Sequence, residues 1–390
     1  MGKRIGLLTG EGDAPGLNFC LKTIVLFHNA IDRGYEVVGL RKGWHGLIYY
    51  DPDEPVTHAD NAMIMTKPKV RTIDQLAGSY LHSSRIDPGH CPPQDAPPFL
   101  RISADDDHPL DLTNHIKRAI AHLQIDAMIV LGSGTSLKYG ARLSQEGIPV
   151  IGIPKSVHND ISGSTYSLGF SSALRRGVGF VNEVRDIAAS REEIAVVAVL
   201  GHHSGLATML IASFANADRT LIPEVPFNPG RLAELLIEDK RRNPSNYAIL
   251  VMSDGSHLDP TSAPEEIAKL SADVVAAGQR GSGAMTTRVL EDFIGEHILY
   301  QPLSYLTRTG DADGWDLIAA TNFGILAVDL IAKNKSGRLV SYRLEDGYID
   351  VPLEEATRPA SVDMSDFYDS SQYAPKSTIF TMAARRTLGV

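Results

Sequence analysis

The sequence predicts an α/β protein of two lobes with mostly parallel sheets, and two observations carry that reading. Short apolar, β-branched runs alternate with segments of helical period along most of the chain, the pattern of strand–helix–strand crossovers. Two of these runs, Ile5 to Thr9 and Ala127 to Leu131, pass straight into loops of small residues that open a helix, and such crossovers make a sheet parallel.

Taken in order, Ile5 to Thr9 is a strand, Gly10-Glu11-Gly12-Asp13-Ala14-Pro15-Gly16-Leu17-Asn18 a glycine-rich turn, Phe19 to Ile31 an apolar-periodic helix, and Tyr35 to Leu40 a second strand after Gly34. Gly43 to Leu47 reads as a turn. Arg71 to Ser84 reads as a short helix and a loop, and Ile86 to Leu110, rich in Pro, Asp and Gly without a period, as a surface insertion. Leu112 to Leu123 is amphipathic and leads into the strand Ala127 to Leu131, after which Gly132-Ser133-Gly134-Thr135-Ser136 opens a helix running to about Gln145. Ile148 to Ile153 is a buried strand.

Ser171 to Ala189 is then helical, Ile194 to Leu200 a strand, and Gly201-His202-His203-Ser204-Gly205 the start of another helix. Leu221 to Glu224 is a short strand, Pro229 to Arg242 a helix and Tyr247 to Ser253 a strand. Thr287 to Ile298 and Gly314 to Lys333 read as helices flanking Tyr300 to Gly310, and the tail from Glu354 is weakly patterned. No fixed-period repeat or low-complexity tract interrupts the series.

The 390 residues are 43% apolar and 22% charged, with a formal net charge of −10, a globular composition long enough for one large or two medium lobes. The acidic balance is spread out with no basic block, which speaks against nucleic acid or an anionic membrane as the main partner. An anionic substrate then needs local arginines, lysines or helix amino termini. The two cysteines, Cys20 in an apolar helical run and Cys91 in a proline-rich loop, offer neither a disulfide framework nor metal spacing, so the expected location is cytoplasmic. The amino terminus enters a strand rather than a signal segment and no apolar run approaches about 18 residues, so a soluble chain is expected.

Chemistry concentrates in Gly152 to Asp160, G-I-P-K-S-V-H-N-D, where a cation, a hydroxyl, an imidazole, an amide and a carboxylate follow an apolar strand. That is too polar for a core, and open α/β sheets place ligands at such strand ends; the plain alternative is an ordinary polar strand-to-helix loop. The loops Gly10 to Gly16 and Gly132 to Ser136 add small residues that let the backbone approach a ligand while helix amides point at it, a phosphate-binding arrangement. Tight packing is the other use of such glycines.

In this order the segments resemble the phosphofructokinase family, in particular the branch opening G-G-G-D-x-P-G-L-N that includes many pyrophosphate-dependent members. Thr9 to Asn18 matches that opening, and Leu81-His82-Ser83-Ser84-Arg85 matches L-G-[ST]-S-R. Gly132 to Ser136 stands where the family has G-G-x-x-[ST], and Pro154 to Asp160 where it has P-K-T-I-D-N-D. Tyr166 to Phe170, Val199 to Gly205 against V-M-G-R-H-A-G, Ile222-Pro223-Glu224, Asp254-Gly255 and Arg308-Thr309-Gly310 follow, so the match covers about residues 3 to 350.

The resemblance implies two Rossmann-like lobes: a donor-binding lobe from 1–168 plus about 307–353 carrying the 86–110 insertion, an acceptor-binding lobe from 169–306, and a tail from 354–390 packing on them. It implies phosphoryl transfer from ATP or pyrophosphate to a sugar hydroxyl with magnesium, in a homodimer or homotetramer. Positioning and charge neutralisation are the chemistry such a loose transition state needs. Residue by residue, Arg85 matches the arginine on the transferred phosphoryl group, and Gly10, Glu11, Gly12, Gly132, Gly134, Thr135 and Ser136 the donor loops. Lys155 matches the lysine typical of pyrophosphate users. Asp160 matches the second aspartate of the catalytic motif, and Arg308 an arginine that reaches the sugar phosphate. Ser156, Leu200, Gly201, Asp254 and Tyr305 fall at acceptor-side positions, and His202 on the catalytic side.

The departures bear on activity. His158 replaces the aspartate that takes the proton from the attacking hydroxyl; an imidazole with an ordinary pKa near 6.5 serves as a base or only hydrogen-bonds, and both readings stand. Gly134 replaces an acidic residue that helps hold magnesium, and Glu11 replaces a glycine, either supplying a new metal ligand or repelling the donor. His202 replaces an arginine, Glu193 a substrate-binding arginine, and Tyr305 a substrate-binding histidine; Leu299 aligns with another arginine. Of the cations that grip the 6-phosphate only Arg308 remains, so the acceptor is expected to be a sugar, cyclitol or other polyol that is not fructose 6-phosphate. A silent regulatory subunit that binds a phosphorylated metabolite is the alternative, and an enzyme using the loops to hold a nucleotide for other chemistry is a third. Donor choice stays open, since Lys155 resembles pyrophosphate users but Thr135 is not the aspartate that usually accompanies it. His202 and His203, adjacent and about 100° apart if helical, do not form a common metal site.

Overall fold

The computed structural model describes residues 3–26, 29–101, 108–262, 282–358 and 364–380. The chain divides into two compact units, one of Met1–Ser156, Ile161–Ser171 and Arg308–Ala360, the other of Val157–Asp160, Ser172–Thr307 and Ser361–Val390. The polar stretch Gly152 to Asp160 is therefore shared, with Lys155 and Ser156 in the first unit and His158 and Asp160 in the second. The tail from 354 is also divided, at Ala360.

In the first unit β1 (Arg4–Thr9), β2 (Glu36–Leu40), β3 (Ala62–Ile64), β4 (Ala127–Gly132), β5 (Val150–Pro154), β10 (Arg338–Arg343) and β11 (Gly347–Pro352) form one sheet in the order β11-β10-β5-β4-β1-β2-β3. The centre is parallel; β3 and β11 close the two edges antiparallel. Every residue of β4 is buried, as a strand covered on both faces by crossover helices must be, and that is why it reads as an uninterrupted apolar run. The Leu17–Val25 and Gly314–Ala332 helices pack together on this sheet. They approach closely where Gly324 leaves only 3.0 Å between an added Cβ and the Thr23 methyl.

In the second unit β6 (Ile194–Val199), β7 (Arg219–Leu221), β8 (Ala248–Ser253) and β9 (Ile298–Pro302) form a four-stranded sheet, ordered β7-β8-β6-β9, parallel throughout. Its core joins Val197, Val199, Val251 and Ile249 to Val181, Val184 and Ile211.

Several elements differ from expectation, each for a physical reason. Gly43 to Leu47 is not a turn but the start of the Trp44–Tyr49 helix; Trp44, Leu47 and Ile48 share a face and are fully buried, with Trp44 edge-on to Tyr139 at 4.9 Å. The two glycines obscured that period. The first helix ends at Val25, where Leu26 is already extended; residues 27–28 lie outside those described. The 86–110 segment, expected as a surface insertion, is anchored in part: Cys91 and Ala96 are 0% exposed and Cys91 and Leu110 exchange backbone hydrogen bonds of 2.9 and 2.8 Å; residues 102–107 are outside the description. Ile298 belongs to β9 rather than to the preceding helix, which is Ser282–Ile294. β7 includes Arg219, whose buried guanidinium is held by both oxygens of Asp239.

Among the described residues one helix, Gly314–Ala332, is long and apolar enough to cross a membrane by length and composition, which the sequence reading did not anticipate; half of its most apolar window is buried within the protein. Near its amino end Asp316 is 0% exposed and accepts from the Tyr166 hydroxyl at 2.7 Å and the Gly169 amide at 2.6 Å. Removing the carboxylate strands two buried donors, at about 1–3 kcal/mol each. Asp316→Ala should therefore lower the urea midpoint of unfolding by a corresponding amount, and an unchanged midpoint would show that these bonds contribute nothing.

Candidate functional site

β1, β4 and β5 are neighbours, parallel and level at their carboxyl ends: Thr9 lies opposite Leu131, and Gly132 opposite Pro154. The loops that follow them leave the same edge of the sheet. Gly10 N–H donates to the Leu131 carbonyl at 2.8 Å and Lys155 N–H to that of Gly132 at 3.0 Å, so the ladder continues into the loops. Open parallel sheets place ligand sites at such an edge.

The glycines here divide by role. A Cβ on Gly10 would lie 1.8 Å from Ser136 Oγ and one on Gly132 2.7 Å from Ser136 Cβ, so these two serve packing. A Cβ on Gly12 would meet the Arg308 guanidinium at 3.1 Å, and Gly134 has open space beside it. Gly12 and Gly134 are thus the two positions where backbone could meet a ligand, with Arg308 over one of them. Thr135 is exposed next to Gly134.

Glu11 projects into this loop pair. Its backbone adopts φ 56, its N–H is anchored on the Ser84 carbonyl at 2.8 Å, and its side chain reaches the amino end of the Gly134–Gln145 helix. There Oε2 accepts from the Ser133 amide at 2.8 Å and Oε1 from the Ser136 amide at 2.6 Å. The carboxylate is therefore engaged by the loop amides themselves.

Lys155, 2% exposed, donates from Nζ to the Gly12 carbonyl. Burial pulls its pKa down from 10.5 to about 8; Glu11 and Asp13 oppose that shift, and Arg308 and Arg85 add to it. Arg85 itself is exposed. Two residues that sequence reasoning did not single out hold the segment that carries it. Asn18 donates to the Leu76 and Gly78 carbonyls and accepts from the Tyr80 amide at 2.8–2.9 Å, and the Thr9 hydroxyl donates to the His82 carbonyl at 2.6 Å. Both lie within the quoted opening motif, which was the signal for them. Asp13 accepts from the Ser79 amide at 3.0 Å. Beside this loop a cavity of about 230 Å³ is lined by Pro15, Asn18, Asp74, Gly78 and Asp311 among others, and nothing in the sequence pointed to it.

The acidic side chains do not form a metal cage. Glu11 is taken up by amides, Asp13 by Ser79, and among the described residues no group of three or more His, Cys, Asp or Glu could hold an ion. Magnesium here would have to be held mainly by donor phosphates, as it commonly is.

In the second unit His158 borders a small cavity whose lining is mostly aliphatic, with Thr307 its other polar residue. The cavity, of about 10 Å³, is lined also by Val157, Leu174, Val199, Leu200 and Ile211. Asp254, 5% exposed, is held at its backbone by Val199 at 2.9 Å and by the Ser282 hydroxyl at 2.6 Å. Gly255 fits under the His202 carbonyl, 2.4 Å from where a Cβ would stand. The Gly201 carbonyl accepts from the Ser253 hydroxyl. His202 and His203 have ring centroids 6.3 Å apart. Both oxygens of Glu224 accept from the Gly205 amide, and burial raises its pKa.

Three of the positions where a phosphate grip was expected carry no cation. Glu193 pairs with Arg191 at 3.0 Å and lies 3.6 Å from His297, Leu299 packs on the core of this unit, and Tyr305 is 50% exposed. Ser156, 5% exposed in the first unit, donates its N–H to the Leu168 carbonyl at 3.2 Å.

Compared with known proteins, residues 4–331 match the family model described as phosphofructokinase. The chain is 30% identical to an ATP-dependent 6-phosphofructokinase of Persephonella marina, over 94% of this chain and 97% of that one. It is equally identical, with the same coverage, to a pyrophosphate–fructose 6-phosphate 1-phosphotransferase of Dictyoglomus thermophilum. A crystal structure of a pyrophosphate-dependent phosphofructokinase from Nitrosospira multiformis shares the fold, with a TM-score of 0.75 at 15% identity, covering 100% of this chain and 91% of that one.

The depressed Lys155 pKa has a signed consequence. Between about 8 and 10.5 the native state holds fewer protons at this site than the unfolded chain, so its contribution to stability rises with pH across that window; below about 8 the cost of burying the ammonium is fully present. Lys155→Met removes this dependence. Its melting temperature relative to the natural chain should fall as pH goes from about 7.5 to about 10, and parallel curves for the two proteins would show that Lys155 does not titrate there.

Proposed function

Because the chain belongs to the phosphofructokinase family of phosphotransferases with an alcohol group as acceptor, we propose that it moves a phosphoryl group from ATP or pyrophosphate to a hydroxyl of a sugar or polyol other than fructose 6-phosphate. The observation that carries this is the loss of cations on the acceptor side. Glu193 is a carboxylate engaged by Arg191, Leu299 is a partly buried aliphatic packed against the core, and Tyr305 is a half-exposed phenol. Each missing charge-assisted contact to a phosphate is worth roughly 1.5–3 kcal/mol. Fructose 6-phosphate, the acceptor named for the Dictyoglomus thermophilum relative, would bind poorly to such a set.

In this reading Gly12, Gly134, Thr135 and Lys155 face the donor with Arg85, while Gly10, Gly132 and Ser136, expected there too, pack the loops behind them, and Arg308 with Ser156, Asp160, Leu200, Gly201, Asp254 and Tyr305 faces the acceptor. His158 takes the proton of the attacking hydroxyl and His202 stands beside the reacting groups. Magnesium enters with the donor, and the protein works in the cytoplasm as a homodimer or homotetramer. The comparisons lend no support to a purely regulatory role, nor of themselves to an acceptor other than fructose 6-phosphate, which rests on the side chains above.

A transfer screen with labelled ATP and labelled pyrophosphate, against fructose 6-phosphate and a panel of unphosphorylated sugars and cyclitols, tests the reading. Transfer should favour an unphosphorylated acceptor, and a preference for fructose 6-phosphate would overturn the acceptor assignment. His158→Asn should lose transfer by roughly 100-fold or more, the range general-base removal spans, while keeping donor affinity in titration calorimetry; an unaltered rate would dismiss the base role.

A further inference from the structure

The amide pair at the amino end of the Gly134–Gln145 helix already holds an anion, and the anion is the chain's own. We propose that Glu11 is an intramolecular competitor for the phosphoryl donor: its carboxylate sits on amides that a donor phosphate would engage, so the donor binds by expelling it. This rests on the phosphotransferase reading above and adds a determinant of donor affinity to it.

Three observations support the assignment. The seat is two-pronged, Oε2 on the Ser133 amide at 2.8 Å and Oε1 on the Ser136 amide at 2.6 Å; paired helix-terminal amides with the dipole behind them receive phosphate oxygens in the same way. The side chain is also built in, since Glu11 is 9% exposed and a Cβ on Gly132 would come within 2.9 Å of Oε2. Finally, Glu11 sits at φ 56, a left-handed conformation that is strained for a non-glycine residue. Gly10 and Gly12 flank it, and a third glycine would fit this backbone with less strain. The carboxylate's bonds to the amides offset that strain.

The surroundings make the seat one that an incoming anion could take over. The Lys155 ammonium feels the Glu11 charge as the first of its favourable partners, and Arg308 lies against Gly12 next door. The Lys155 cation is thus coupled to the carboxylate, with Arg308 against the next residue, and both remain when the carboxylate leaves.

Titration calorimetry of pyrophosphate, and separately of ATP, into the full chain and into Glu11→Gln and Glu11→Gly tests this. Glu11→Gln keeps the side-chain volume, so the inference stays testable if the glycine variant fails to fold. Both variants should bind pyrophosphate roughly tenfold or more tightly than the natural chain, as expected when a competing charged partner is removed. Their melting temperatures should be lower without ligand and rise more steeply with added pyrophosphate. An affinity unchanged in either folded variant, or no binding by any form, overturns the proposal and leaves Glu11 as a helix cap. Tighter binding by the variants with no transfer by any form would instead uphold it and sink the phosphotransferase reading; transfer with equal affinities would do the reverse.

Discussion

Three parallel strands that end level with one another are the constraint on which the rest of the first unit depends. Because Thr9, Leu131 and Gly132 are locked by register to Leu131, Thr9 and Pro154 respectively, the chain leaves the sheet three times along one edge. Everything polar in this unit's site follows from fitting three loops side by side there. Ser136 Oγ and Cβ occupy the space in front of Gly10 and Gly132, so those positions tolerate no side chain, and the backbone of the second loop is presented to Glu11 rather than turned away from it.

The same crowding sets the electrostatics. Lys155 emerges from β5 into a space enclosed by the other two loops, where its ammonium finds the Gly12 carbonyl and the Glu11 charge but little water. A buried cation held by one carbonyl and a nearby carboxylate is expected to hold its proton weakly, and that shift makes this lysine sensitive to whatever anion sits on the neighbouring amides. Glu11, Lys155 and Arg308 therefore act as one charge set. Replacing the glycine of the similar motif by Glu11 adds an anion at the point where the substrate would otherwise bring one.

The second unit works under a different constraint. Its parallel sheet puts β6 between β8 and β9, so the segment after Val199 passes over Asp254 and Gly255, and the close fit of Gly255 under the His202 carbonyl is what holds the two histidines there. Where the similar family carries arginines for a phosphate, this unit has used the positions for surface pairing, as in Glu193 with Arg191, and for packing against the core, as in Leu299. Those residues have structural partners here.

The sequence by itself determined the α/β class, the central strands of both sheets, the loops at their ends and the residues those loops carry. Apolar period and glycine placement are local properties, written wherever a strand is buried on both faces, as in Ala127–Leu131. It did not determine the edges: β10 and β11 alternate only partly, Trp44–Tyr49 hides its helical face between glycines, and Cys91 and Ala96 are anchored by partners distant in sequence. Nor could it decide between the two readings of Glu11, as metal ligand or as repulsive charge. The choice rested on where the amides of Ser133 and Ser136 point, a fact set by the pairing of β1 with β4 across more than a hundred residues. Residue type names what a side chain can do; only the tertiary register says what it meets, and for Glu11 that is the amino end of a helix.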